Sequence, residues 1–152
     1  MRAYRARLVV FLLVLVAAAA YLRDPAWIGG ITSGLTDWRR DADGTMFRWT
    51  TGRASFYVPS DATMMTLPLR VPFAIPHGGT SSVQIWIDNR WLADVELTDT
   101  RWRRTVLPLP RRSSTRRYRR VDLHVSRAFT VGPARLGVET GEIELDRSGP
   151  AR

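Results

Sequence analysis

Two hydrophobic patterns divide the chain. From Leu8 to Leu22 every residue is apolar or aromatic, with Arg2, Arg5 and Arg7 before the run and Arg23-Asp24-Pro25 after it. Beyond Thr45 the pattern shifts to a period of two, the alternation of strands that bury one face. The first pattern predicts one helix. The second predicts about seven or eight short antiparallel strands, and no long amphipathic helix is expected after residue 24.

The apolar run has the form of a membrane anchor or an export signal. Its fifteen residues reach only about 22 Å at roughly 1.5 Å each, short of the roughly 30 Å hydrocarbon core. Ala3 and Tyr4 can extend the helix while Arg5 and Arg7 snorkel to the headgroups, so a short anchor is feasible. Ala18-Ala19-Ala20 offers a signal-peptidase site with Tyr21 as the new N-terminus. We take a retained anchor as the expectation, with cleavage at Ala20 as the alternative. A buried core helix would leave the triple-Arg flank as coincidence. Either way the arginines stay inside. The expected place is the inner (cytoplasmic) membrane, single-pass, with the rest of the chain outside the cytoplasm, or secreted or periplasmic if the run is cut.

The remaining organisation follows from composition along the chain. Residues 1–23 form the anchor or signal, 24–44 a Gly-, Pro- and Asp-containing stalk, 45–146 the folded domain and 147–152 a flexible tail. Within the domain, Phe47–Trp49 and Ala54–Val58 begin the alternation. Met65, Leu67, Leu69, Val71 and Phe73 then occupy every second place. Pro68 and Pro72 lie on the opposite face, which predicts an edge or bulged strand. Strands are also expected at 105–109, 121–125 and 138–145. A strand-only chain of this length closes as a two-layer sandwich or barrel.

The clearest unit runs from Val83 to Leu97. A two-residue Asp88-Asn89 turn in simple register would pair Val83 with Asp94 and bury a carboxylate. A three-residue loop, Asp88 to Arg90, pairs Ile87 with Trp91, Ile85 with Ala93 and Val83 with Val95, leaving Asp94 and Glu96 outside. That loop is the expectation. It places Trp91 with the core set and turns Trp86 away from it.

Taken in order, FRWT…ASFYVP, the Pro-spaced strand, VQIWIDNRWLADVEL, VLPLP, RRVDLHVS and RLGVETGEIEL resemble galactose-binding-like jelly-roll modules. They are more closely similar to uncharacterised membrane-anchored β-sandwich proteins of bacterial envelopes, some attached to glycosyltransferase-like proteins. The likeness covers residues 45–146, and its motifs (Arg48-Trp49-Thr50, Asp88-Asn89, Leu136-Gly137-Val138) are structural. It implies an all-β, jelly-roll-like antiparallel sandwich behind one N-terminal helix. It also implies a non-catalytic binding or accessory role in the cell envelope, with an envelope glycan or a glycan-handling membrane protein as partner. No ligand-contact motif carries over residue by residue. A structural subunit docking on a membrane complex or an anionic surface is the alternative.

Charge sharpens this picture. The chain has 23 basic residues, all Arg, and a net charge of +9. Four belong to the anchor and its edges. Arg111, Arg112, Arg116, Arg117, Arg119 and Arg120 fall in one stretch without an acid, and the rest nearly balance the 14 acidic residues. That stretch is a candidate patch for an anionic partner such as phospholipid headgroups, an acidic glycan or an acidic protein. Export argues against nucleic acid, and we expect none.

Candidate chemistry is sparse. There is no cysteine, so no disulfide, thiolate nucleophile or cysteine metal site exists. Asp122, His124 and Ser126 share a strand face, but successive same-face residues sit about 7 Å apart, too far for a triad. Glu142 and Glu144 have no cleft signal beside them, and a hydrolase ranks last. His77 and His124 lack ligand-spaced partners. Loop oxygens of Asp41, Asp43 or Asp88 could hold calcium but follow no established loop pattern, so no metal or cofactor is expected. Six tryptophans are many for so small a domain. Trp27 and Trp38 suit the membrane surface or the stalk. Trp86 and Trp102 are expected to be exposed, and are the candidate ligand-binding residues.

Overall fold

The computed structural model describes residues 2–76, 79–111 and 116–147, with helix side chains described from Arg7 onward. The candidate residues His77 and Arg112 lie outside the described residues, as do 148–152 of the tail.

Helix α1 (Arg2–Arg23) has 22 residues and therefore spans about 33 Å. It is long and apolar enough to cross a membrane. Its side chains from Leu8 to Leu22 are exposed along the whole apolar run, with Leu22 at 72%. The domain does not cover it, so α1 is not a core helix. An uncovered apolar surface of that extent needs a bilayer or another partner around it.

The rest is an antiparallel sandwich of two layers joined by one long strand. In the first layer, β1 (Thr32–Leu35) pairs with β3 (Met46–Pro59), which pairs with β8 (Tyr118–Val125), then β5 (Ser81–Ile87) and β6 (Arg90–Leu97). In the second, β3 is flanked by β2 (Arg39–Arg40) and β11 (Glu139–Gly141), which leads to β4 (Met64–Arg70) and β7 (Arg103–Pro108). β12 (Glu144–Asp146) continues beside β4 where β11 stops. β9 (Phe129–Val131) and β10 (Ala134–Leu136) form a separate hairpin. The end of β3 near Met46 belongs to the second layer and the remainder to the first. Gly52, with φ +94°, lies just past the crossover, where the left-handed region suits glycine.

The core lies between the layers. Met65, Leu67, Leu69 and Val71 from the second layer meet Val83, Ile85, Ile87, Val121 and Leu123 from the first, all at most 1% exposed. These are the alternating positions read from the sequence. Phe73, expected to continue the row, is half exposed because β4 has ended at Arg70.

Three expectations about the strands are corrected. The described residues carry twelve strands rather than seven or eight, because pieces of two to four residues add to the ladder. Residues 24–44 are not a separate stalk: β1 and β2 pair with β3, and Thr36 adds hydrogen bonds to Trp49. β4 is not an edge strand, since β7 lies on one side and β11 and β12 on the other. Pro68 is tolerated because it and Leu67 face the gap between those two short strands.

The hairpin differs in an instructive way. Asp88 and Asn89 both have positive φ, 50° and 63°, the two-residue turn that fits the twist of antiparallel strands. Ile87 pairs with Arg90 and Trp86 with Trp91, and the register then shifts so that Ile85 meets Ala93 and Val83 meets Val95. A bulge at Leu92 thus restores the parity that a longer loop was expected to provide. Asp94 and Glu96 still face solvent. Trp91 does not join the core; it is 57% exposed.

Candidate functional site

The outer face of the first layer is where register gathers polar and aromatic side chains. Pairing across five strands sets Ser33, Ser55, Asp122, Trp86 and Trp91 in one row. The next row holds Arg53, His124, Gln84 and Asp94. These residues alternate with the buried Ala54, Phe56, Leu123 and Ile85, so their outward direction follows from the same period of two that builds the core.

Three hollows meet at His124 on this face. The largest, about 710 Å³, runs past Thr51, Arg53, Gln84 and Arg135. A second is bounded by Ser33, Ser55, Arg120 and Asp122, and a third by Trp86, Asn89 and Asp122. The His124 ring stacks on Trp86 with centroids 5.9 Å apart at 32°. The indole Nε1 of Trp86 is buried without a hydrogen-bond partner among the described residues. Trp91 stands beside it, its Nε1 donating to Asp94 Oδ1 at 3.3 Å. Asp122 takes Arg120 at 2.7 Å. Arg53 and Arg135 have no acidic partner among the described residues, which leaves the large hollow cationic. A polar trough of this kind, with Trp86 bordering one of its hollows and His124 shared by all three, can stack a flat ring face and hydrogen-bond its hydroxyls.

The other candidates scatter. Trp86 is half-buried rather than fully exposed. Trp102 is also half-buried, on the second layer, with Arg70 stacked 4.4 Å from its ring centroid. Arg70 in turn donates to Glu139 and, at 2.5 Å, to Asp41. Burial pushes the Glu139 carboxyl above the ordinary carboxylate range, against the pull of Arg70. The hydrogen bond from Arg70 holds Asp41 below that range. Trp102 therefore belongs to a packed ion cluster and does not meet Trp86.

The arginine stretch is likewise divided. Arg119 is 5% exposed: Nε donates to Asp88 at 2.8 Å and Nη1 to the Pro110 carbonyl at 2.6 Å. It is a structural strut and leaves the expected patch, because strand parity turns it inward. Arg120 pairs with Asp122, while Arg111, Arg116 and Arg117 are exposed. Arg116 and Arg117 lie against the end of α1, where the Arg117 amide donates to Asp24 Oδ2 at 2.6 Å.

Among the described residues, the hydrolase and calcium candidates weighed from the sequence are engaged by other protein groups. Ser126 Oγ accepts the Ser82 amide at 2.8 Å, and Glu144 pairs with Arg104 at 2.5 Å. Asp41, Asp43 and Asp88 serve Arg70, Thr45 and Arg119 respectively. Among the described residues no group of three or more metal-ligating side chains comes together. Sequence reasoning missed Arg53, Gln84, Trp91 and Arg135. Alternation alone would have turned the first two outward, but only the pairing of β3 with β8 and of β8 with β5 makes them neighbours.

No family model matches the chain, and no curated protein does. In solved structures, the chain is similar to carbohydrate-binding modules. One is a family 36 module in complex with calcium and xylotriose: 15% identity over 76% of this chain and 92% of that one, TM-score 0.41. Another is a family 51 module from Clostridium perfringens in complex with methyl-galactose, at 14% identity, 73% and 80% coverage and TM-score 0.42. A family 35 module from Clostridium thermocellum follows at 9%, 74% and 89%, TM-score 0.45. The trough around His124, and not these distant likenesses, carries the functional reading.

Proposed function

We propose that the chain is a non-catalytic glycan-binding module, held at the outer surface of the bacterial inner membrane by α1, with the outer face of the first layer as its binding surface. The observation that carries this is the Trp86–Trp91 pair beside the His124 trough. Two indoles lie on adjacent strands of this face, Trp91 exposed and Trp86 half-buried against His124, next to hydrogen-bonding groups spaced along a groove. Sugar rings present an apolar face for such indoles and hydroxyls for Gln84, Arg53 and His124. Asp122 and Ser126 are held by protein partners rather than poised for proton transfer or attack, which supports binding without chemistry. The uncovered apolar surface of α1 supports the tether.

The test is a glycan array probed with the full chain in nanodiscs. A retained polysaccharide class is expected, weakened roughly tenfold by Trp91→Ala and again by Trp86→Ala. Trp27→Ala, far from the trough along the chain, is expected to bind as the parent does. Retention unaffected by either trough substitution would overturn the assignment of the site, and no retention at all would overturn the function.

A further inference from the structure

The arginine stretch and the end of α1 are more than 90 residues apart in sequence, yet they line one cleft. Ala20, Tyr21, Arg23, Asp24, Arg116 and Arg117 enclose about 400 Å³. Asp24 fixes the approach by accepting the Arg117 amide. Tyr118, next along the chain, packs so closely on Gly29 that a Cβ there would touch its ring. Arg117 and Tyr118 are therefore tied to the helix exit on both sides.

We propose that this cleft binds the phosphate of an anionic phospholipid headgroup in the leaflet where α1 leaves the membrane. The inference rests on α1 spanning a bilayer, but not on glycan recognition. A spanning α1 puts Tyr21 and Arg23 at the interface, where Tyr is favoured and Arg meets headgroups. The fold then brings two further guanidiniums to the same depth. Arg23, Arg116 and Arg117 line the cleft beside the Asp24 carboxylate, and guanidinium forks suit phosphate oxygens. The placement favours a lipid over a soluble anion, because one wall of the cleft is the membrane helix itself.

The full chain is reconstituted in phosphatidylcholine nanodiscs doped with phosphatidylglycerol, and lipid retained after release is counted by native mass spectrometry. The expected result is bound phosphatidylglycerol that falls roughly thirtyfold in Arg116→Gln/Arg117→Gln. The lysine pair Arg116→Lys/Arg117→Lys should retain most of it, which shows that charge rather than folding is being read. Arg90→Gln/Arg101→Gln, elsewhere on the surface, should behave as the parent. Equal retention by the glutamine pair overturns the proposal, as does competition by inorganic phosphate at the strength of the lipid. Failure of the chain to enter nanodiscs overturns the membrane reading instead.

Discussion

Arg119 Nε sits 2.8 Å from Asp88 Oδ2, tying the tip of the β5–β6 hairpin to the start of β8. The same carboxylate accepts the Arg120 amide through Oδ1 at 3.1 Å, and Asp88 N donates to the Arg120 carbonyl. Three contacts thus lock a two-residue turn against its neighbouring strand. Arg119→Ala is expected to cost about 2 kcal/mol, because it leaves the Pro110 carbonyl and the inner side of Asp88 without a charged donor. Urea unfolding of the full chain in detergent checks this. A loss below a few tenths would place Arg119 back among the solvated charges.

Gly34 reports whether residues 24–44 belong to the fold. Its φ is +64°, and a Cβ there would overlap the Arg53 carbonyl oxygen. Gly34→Ala should lower the melting temperature measurably, by the equivalent of about 2 kcal/mol or more. Gly44→Ala, also at positive φ but with open space around it, should cost only about 1 kcal/mol. A detached stalk would show neither effect.

Ligand charge follows from the trough. With Arg53 and Arg135 on its walls and no acidic residue lining the large hollow, uronate-bearing oligosaccharides should bind more tightly than their neutral counterparts. The preference should fade as salt rises. Calorimetry with Arg53→Gln/Arg135→Gln is expected to lose the preference while keeping the stacking contribution of the indoles. An unchanged preference would exclude these two guanidiniums from the site.

Two carboxyls around Arg70 should titrate in opposite directions, and each sign can be worked out. Desolvation raises Glu139, so its contribution to stability is present below the unfolded value and is lost as pH climbs through the folded one. Asp41 is lowered by its bond to Arg70, so its contribution is present above the unfolded value and is lost as pH falls through the folded one. Carboxyl NMR should place the Glu139 midpoint above that of an ordinary glutamate and the Asp41 midpoint below that of an ordinary aspartate. Arg70→Met should move Glu139 further up and Asp41 back toward normal. Coincident midpoints would contradict the cluster geometry.

Much of the fold was legible because burial and alternation are local. Met65, Leu67 and Leu69 announce their strand, and Val83, Ile85 and Val95 fix the outer register of the hairpin by keeping Asp94 out of the core. The turn itself was misread because two devices cancel. A bulge at Leu92 changes parity as a third loop residue would, and the core pattern cannot tell them apart. Trp91 pays the consequence, lying before the bulge and so on the opposite face from its expected place. Arg119 was hidden by its neighbours, since a run of arginines reads as one patch unless strand parity is applied to each. The trough was not legible at all. It depends on β3 meeting β8 across roughly 70 residues of chain, a pairing decided by the closure of the whole sandwich.

The pairing of β1 and β2 with β3 also limits how far the outer face of the first layer can lie from the end of α1. As a flexible linker the roughly 21 residues of 24–44 would have let the domain wander about 25 Å from the helix exit. Instead β1 begins at Thr32, only a short turn past Arg23, and the leash is absorbed into the sheet. With α1 held in a bilayer as proposed, the trough would stay within about one domain's depth of the membrane and would move with α1 rather than on a leash of its own.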